Sequence, residues 1–136
     1  MLEVLPPPAP NVVAVHVDGS AADARADRAT LLATLDAAPR GPIGLYVEMG
    51  WIWGDTEREF ADRLQRGFAE LAARRDVARV AFVSGSYTRR MLLRDIGEPV
   101  EGVDVCVFPA AAKRAATEWV RQLDASPSAP SGAERA

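Results

Sequence analysis

Apolar runs with the length and pattern of buried strands recur four times along this chain, and each is followed by a segment with helical spacing. NVVAVHVD (11–18) puts Val13, Val15 and Val17 at period two, the alternation that turns every second side chain to one face of a sheet. IGLYVEM (43–49) is apolar on both faces, as a strand covered on both sides must be. RVAFV (79–83) and VDVCVF (103–108) follow. A strand–helix order repeated in this way closes into a mostly parallel sheet with right-handed crossovers. The predicted fold class is therefore α/β, with a four- to five-stranded sheet flanked by helices.

The intervening segments carry the complementary pattern. Residues 21–38 set Leu31, Leu32 and Leu35 among alanines and charges. In 56–75, Phe60, Leu64, Phe68 and Leu71 share one helical face, with Arg58, Asp62, Arg66 and Arg74 on others. Thr56 followed by Glu59 is the pattern of a capping box. Residues 86–96 form a short helix with Ser86 at its cap, and Pro109 suits the first turn of a last helix that turns Ala112, Ala116, Trp119 and Leu123 inward.

A chain of 136 residues is the size of one domain. The triple proline within residues 1–10 reads as an extended arm or a lead-in to the first strand. The domain is expected over 11–124, and the small, polar, proline-broken tail 125–136 is expected to be disordered. A net charge of −3, with Lys113 the only lysine, provides no basic field for nucleic acid. One cysteine, Cys106, and one histidine, His16, offer neither an intrachain disulfide nor a zinc-type ligand set, so no metal or cofactor is expected. Without a signal-peptide pattern or an apolar run long enough to span a bilayer, the expected location is cytoplasmic.

From Gly41 to Leu123 the chain resembles the SpoIIAA-like proteins of the STAS/SEC14 group. The resemblance is carried by GLYVEM (44–49), the glycine- and tryptophan-containing GWIWGD (50–55), the amphipathic helix from Thr56, DVARVAFVSG (76–85), and VDVCVFPAAAKRAATEWV (103–120). It implies a small sheet flanked by helices, assembly as a homodimer, and no established enzymatic activity for the group as a whole. STAS proteins that antagonise anti-sigma factors carry a phosphorylatable residue in a D-S-S/T-G type turn. VSGSYT, with Ser84, Ser86 and Thr88, lacks that aspartate and motif order, so the phosphoswitch does not carry over.

In open α/β sheets ligands gather beyond the carboxyl ends of the strands. Glu48, Trp51, Trp53, Ser84, Gly85, Ser86 and Arg89 all map to that edge, as a candidate site of two indoles, a carboxylate, free amides and positive charge. Each has a plainer structural reading. Indoles also close cores, and packing over the helix from Thr56 is the commoner outcome. Ser86 serves as an ordinary helix cap. Glu48 is a catalytic candidate if the indoles desolvate it and raise its pKa, with Asp55 the nearest second acid, but loop carboxylates more often pair with arginine. His16 is the other candidate base, and Cys106, within an apolar strand, is expected to be buried and inert. The expected function is a non-catalytic module that binds a small apolar or anionic molecule or a protein partner and self-associates. The alternatives are a small isomerase, lyase or cyclase with a tryptophan-lined pocket, and an anti-sigma-antagonist-like regulator.

Overall fold

The computed structural model describes residues 1–97, 102–123 and 134–135. In chain order the strands are β1 (Leu2–Leu5), β2 (Val12–Ser20), β3 (Ile43–Trp53), β4 (Val77–Ser84), β5 (Asp104–Phe108) and β6 (Glu134–Arg135). The α-helices are α1 (Ala24–Ala37), α2 (Glu57–Arg74), α3 (Tyr87–Gly97) and α4 (Lys113–Val120). All strands lie in one sheet in the order β1-β2-β3-β4-β5-β6. The four strands read from the sequence form its parallel centre, and β1 and β6 add antiparallel edges. The α/β reading is borne out.

Because strand order follows chain order, every right-handed crossover falls on the same face. One apolar cluster accordingly joins Leu35 of α1, Phe60 and Phe68 of α2, and Leu93 of α3 to Val15, Val47, Val80 and Val107 of the sheet. On the other face α4 is the helix among the described residues, with Ala116, Trp119 and Val120 against Tyr46, Ala81, Cys106 and Phe108, and Leu5 and Ala9 packed beside them. The approach of α4 is close: a Cβ on Gly44 would stand 2.5 Å from the Val120 carbonyl oxygen, so only glycine fits there. Arg79 is buried beneath this helix, donating to the Trp119 carbonyl at 2.8 Å with its guanidinium 4.8 Å from the Trp119 ring centroid. Two partners suited to a cation offset the cost of burying it. Cys106 is fully buried on the same face.

Two segments depart from the sequence reading. GWIW is not a loop: β3 continues through Trp53, with Ile52 paired to Gly19 and Trp53 to Ser20 after a register shift. Aromatic and β-branched residues favour extended backbone, and the turn comes only at Gly54, whose φ of 96° suits glycine. The proline-rich arm begins with a strand, β1, that pairs Leu2 with Val17 and Leu5 with Ala14. The prolines follow it directly, because a residue without an amide proton ends the ladder. Of the tail expected to be disordered, 125–133 and 136 lie outside the described residues, while Glu134 and Arg135 pair with Val107 and Cys106.

Candidate functional site

Two groups of residues merit a functional reading, one on each face of the sheet. The first is a cleft of about 380 Å³ between α1 and α2. Its floor is the apolar sheet surface of Val17, Leu45, Val47, Met49 and Ile52, and its long wall is the Phe60–Leu64–Phe68–Leu71 stripe of α2. Opposite that stripe, α1 supplies Leu31 and Leu32 in its second half but only Ala24 and charged side chains in its first. The space above Val17 and Met49 is therefore left unfilled. Gly67 also lines the cleft, and a Cβ there would touch nothing within 4 Å.

Ion pairs also tie α1 to α2. At their C-terminal ends Arg74 forms a two-pronged bridge to Asp36, with Nε–Oδ1 3.0 Å and Nη2–Oδ2 2.5 Å. This bond from Arg74 holds the Asp36 carboxyl below the usual carboxylate range. Next to it Arg75 donates to the Leu35, Ala38 and Pro39 carbonyls, closing the end of α1. Further along, Arg28 bridges to Glu70 across the cleft, with Nε–Oε2 3.0 Å. The volume lies within the range of small-molecule pockets, and the lining has their character: apolar, with charges confined to the rim.

The second group is a polar network on the α4 face. The β2–β3 register sets His16 beside Glu48. Glu48 Oε1 lies 3.0 Å from His16 Nδ1 and 3.7 Å from Lys113 Nζ, and Oε2 accepts from the Tyr46 hydroxyl at 2.7 Å. His16 Nε2 faces Asp18 Oδ2 at 3.3 Å. Gly50 makes room for this pair, since a Cβ there would lie 2.9 Å from the Asp18 Cβ and 3.1 Å from His16 Nε2. Partial burial pushes the Glu48 pKa up, but the bonds from Tyr46 and His16 and the Lys113 charge outweigh it, and the net shift is downward. The raised pKa expected of a desolvated acid is thus reversed: Glu48 is an anchored anion with both oxygens engaged. Burial and the Glu48 carboxylate together push the Tyr46 hydroxyl well up.

The residues proposed from sequence are dispersed around these two groups. Met49 and Ile52, three residues apart, both line the cleft, so the regular alternation of β3 breaks at the register shift, and Trp51 and Trp53 beyond it are 77% and 53% exposed. Neither indole closes the core, contrary to the commoner outcome for such residues. Asp55 pairs with Arg63 of α2. Ser84 is buried and its Oγ accepts from the Ser86 amide at 3.2 Å, while Ser86 caps α3 by accepting from the Arg89 amide at 3.2 Å. Gly85 is exposed, and the Arg89 guanidinium stacks 3.8 Å from the Phe60 ring centroid. Two of the amides expected to greet an anion are thus already taken by serine hydroxyls. Among the described residues no group of His, Cys, Asp or Glu could hold a metal ion, and no helix is long and apolar enough to cross a membrane.

Sequence reasoning missed the cleft and, around Glu48, the parts played by Tyr46, Asp18 and Lys113. A signal for the cleft was present in the alanine-rich first half of α1 facing a Phe/Leu stripe, together with Gly67 inside a helix. A signal for Tyr46 was its period-two spacing from Glu48.

Comparison with known proteins supplies one match. A family model described as SpoIIAA-like covers residues 12–121. No curated protein and no solved structure matches the chain.

Proposed function

The chain belongs to the SpoIIAA-like family, and from that premise we propose that it is a non-catalytic module that binds a small apolar molecule between α1 and α2. One observation carries this reading: an apolar space of about 380 Å³ in a domain whose sheet is otherwise closely packed. An apolar cleft of this size open to water leaves surface unburied that packing would otherwise cover. A space retained under an intact Phe/Leu stripe is accounted for by an occupant. The anchored state of Glu48 agrees with a binding role, since a carboxylate with both oxygens engaged is a poor proton acceptor.

Gly67 gives the test. Leucine there fills the cleft and also replaces the residue that costs a helix most after proline. The neutral fluorophore N-phenyl-1-naphthylamine should bind the native chain saturably and bind Gly67→Leu at least about tenfold more weakly, with the variant melting no lower. Equal binding by the two proteins, or none by either, would remove the proposal.

A second reading, self-association, is favoured by the two indoles exposed near the end of β3. Large apolar side chains exposed together are the usual mark of a contact surface. Sedimentation velocity should show a dimer that the double variant Trp51→Ala/Trp53→Ala dissociates. A native chain that sediments as a monomer at every concentration would dispose of it.

A further inference from the structure

Resting on that reading of the cleft, we infer that its occupant is a free medium-chain carboxylate: an unbranched alkyl acid of about ten carbons lying along α2 with its head at Arg25 and Ser20. Shape is the first argument. The lining on α2 runs from Phe60 to Leu71, which at about 1.5 Å per residue gives a wall of about 16 Å. A space that follows a helix for three turns favours a chain over a compact ring system.

Charge is the second. The charged residues around the cleft are Asp18, Arg25, Asp27, Arg28, Arg63 and Glu70. Glu70 is bridged by Arg28, Asp27 accepts the Leu2 amide at 2.7 Å and faces the N-terminal ammonium at 3.4 Å, and Asp18 lies 3.3 Å from His16 Nε2. Arg63 is held by Asp55. Among the described residues this leaves Arg25, in the first turn of α1, as the rim cation without an acidic partner. Ser20 lines the same end. Its Oγ accepts from the Ala22 amide at 3.1 Å, which leaves its O–H to donate. An arginine and a hydroxyl beside an apolar channel complement a carboxylate and oppose an ammonium head. Arg74 and Arg75 close the other end of the α1–α2 pair, so the head has one place to go.

Displacement of bound N-phenyl-1-naphthylamine by decanoate, decanol and decyltrimethylammonium, each below its micelle concentration and at low salt, tests the assignment. Decanoate should displace about three- to fivefold better than decanol, the scale of an exposed charge pair, and the cation should be weakest. Arg25→Glu, a change at an exposed helical position, should invert the order of the charged ligands. Across hexanoate, octanoate and decanoate, affinity should climb about fourfold per methylene. If the three heads displace equally and Arg25→Glu changes nothing, the carboxylate assignment falls while the cleft reading stands. If hexanoate matches decanoate, the chain assignment falls. If the naphthylamine does not bind the native chain, both fall together.

Discussion

Under α4 the sheet and its helix approach so closely that a Cβ on Gly44 would collide with the Val120 carbonyl, whereas across the sheet α1 and α2 stand apart over about 380 Å³ of open space. The same strands serve both faces. On the α4 side polar groups are drawn into the structure with partners, Arg79 buried under Trp119 and Glu48 half-buried among Tyr46, His16 and Lys113. On the other side, apolar side chains of the core cluster also line an open cleft, with charged residues around it. The face closed by one short helix is thus the more tightly specified, and the face carrying three helices holds the cleft. A helix bound by ion pairs at its edges can sit away from its neighbour in a way that a helix bound by interlocked side chains cannot.

Glycine substitutions should separate the two faces most sharply. Gly44→Val forces α4 off the sheet and is expected to cost about 3 kcal/mol, measured by urea unfolding. A loss under 1 kcal/mol would mean that α4 is not packed as described. Gly67→Leu, by contrast, should raise stability by about 1 kcal/mol, because leucine is the better helix former and the cleft accepts it. If both substitutions destabilise alike, the contrast between the faces is lost.

The smallest effect concerns the acid side of the stability profile. The folded pKa of Glu48 lies below its unfolded value, so its contribution is present above the unfolded pKa and disappears as pH falls through the folded one. Glu48→Gln should therefore unfold with a shallower dependence on pH in that acidic window and behave much like the native chain at lower pH, where both side chains are uncharged. Identical slopes for the two proteins would detach Glu48 from the network.

Period-two runs such as Val13–Val15–Val17 announced the strands, and the Phe60–Leu71 stripe announced α2, since burial on one face leaves a local trace in sequence. The extension of β3 was hidden by the glycines at 50 and 54, which punctuate like a loop while Trp51 and Trp53 keep strand spacing. His16 and Glu48 were legible singly as titratable groups. Their meeting depends on the register between β2 and β3, which neither segment encodes alone. The cleft was least legible, because a void is set by the distance between two helices, and side-chain periodicity gives only direction.

Spatial order that copies chain order has a temporal side. A ribosome delivers β2 through β5 as neighbours, so each new strand meets a finished edge, but the surface bearing Tyr46, Ala81, Cys106 and Phe108 lacks its helix until α4 emerges. For that interval the nascent chain presents a greasy slab with a single thiol in it. The rate at which a maleimide reaches Cys106 is thus a built-in clock for how long the wait lasts and how often the helix later swings away.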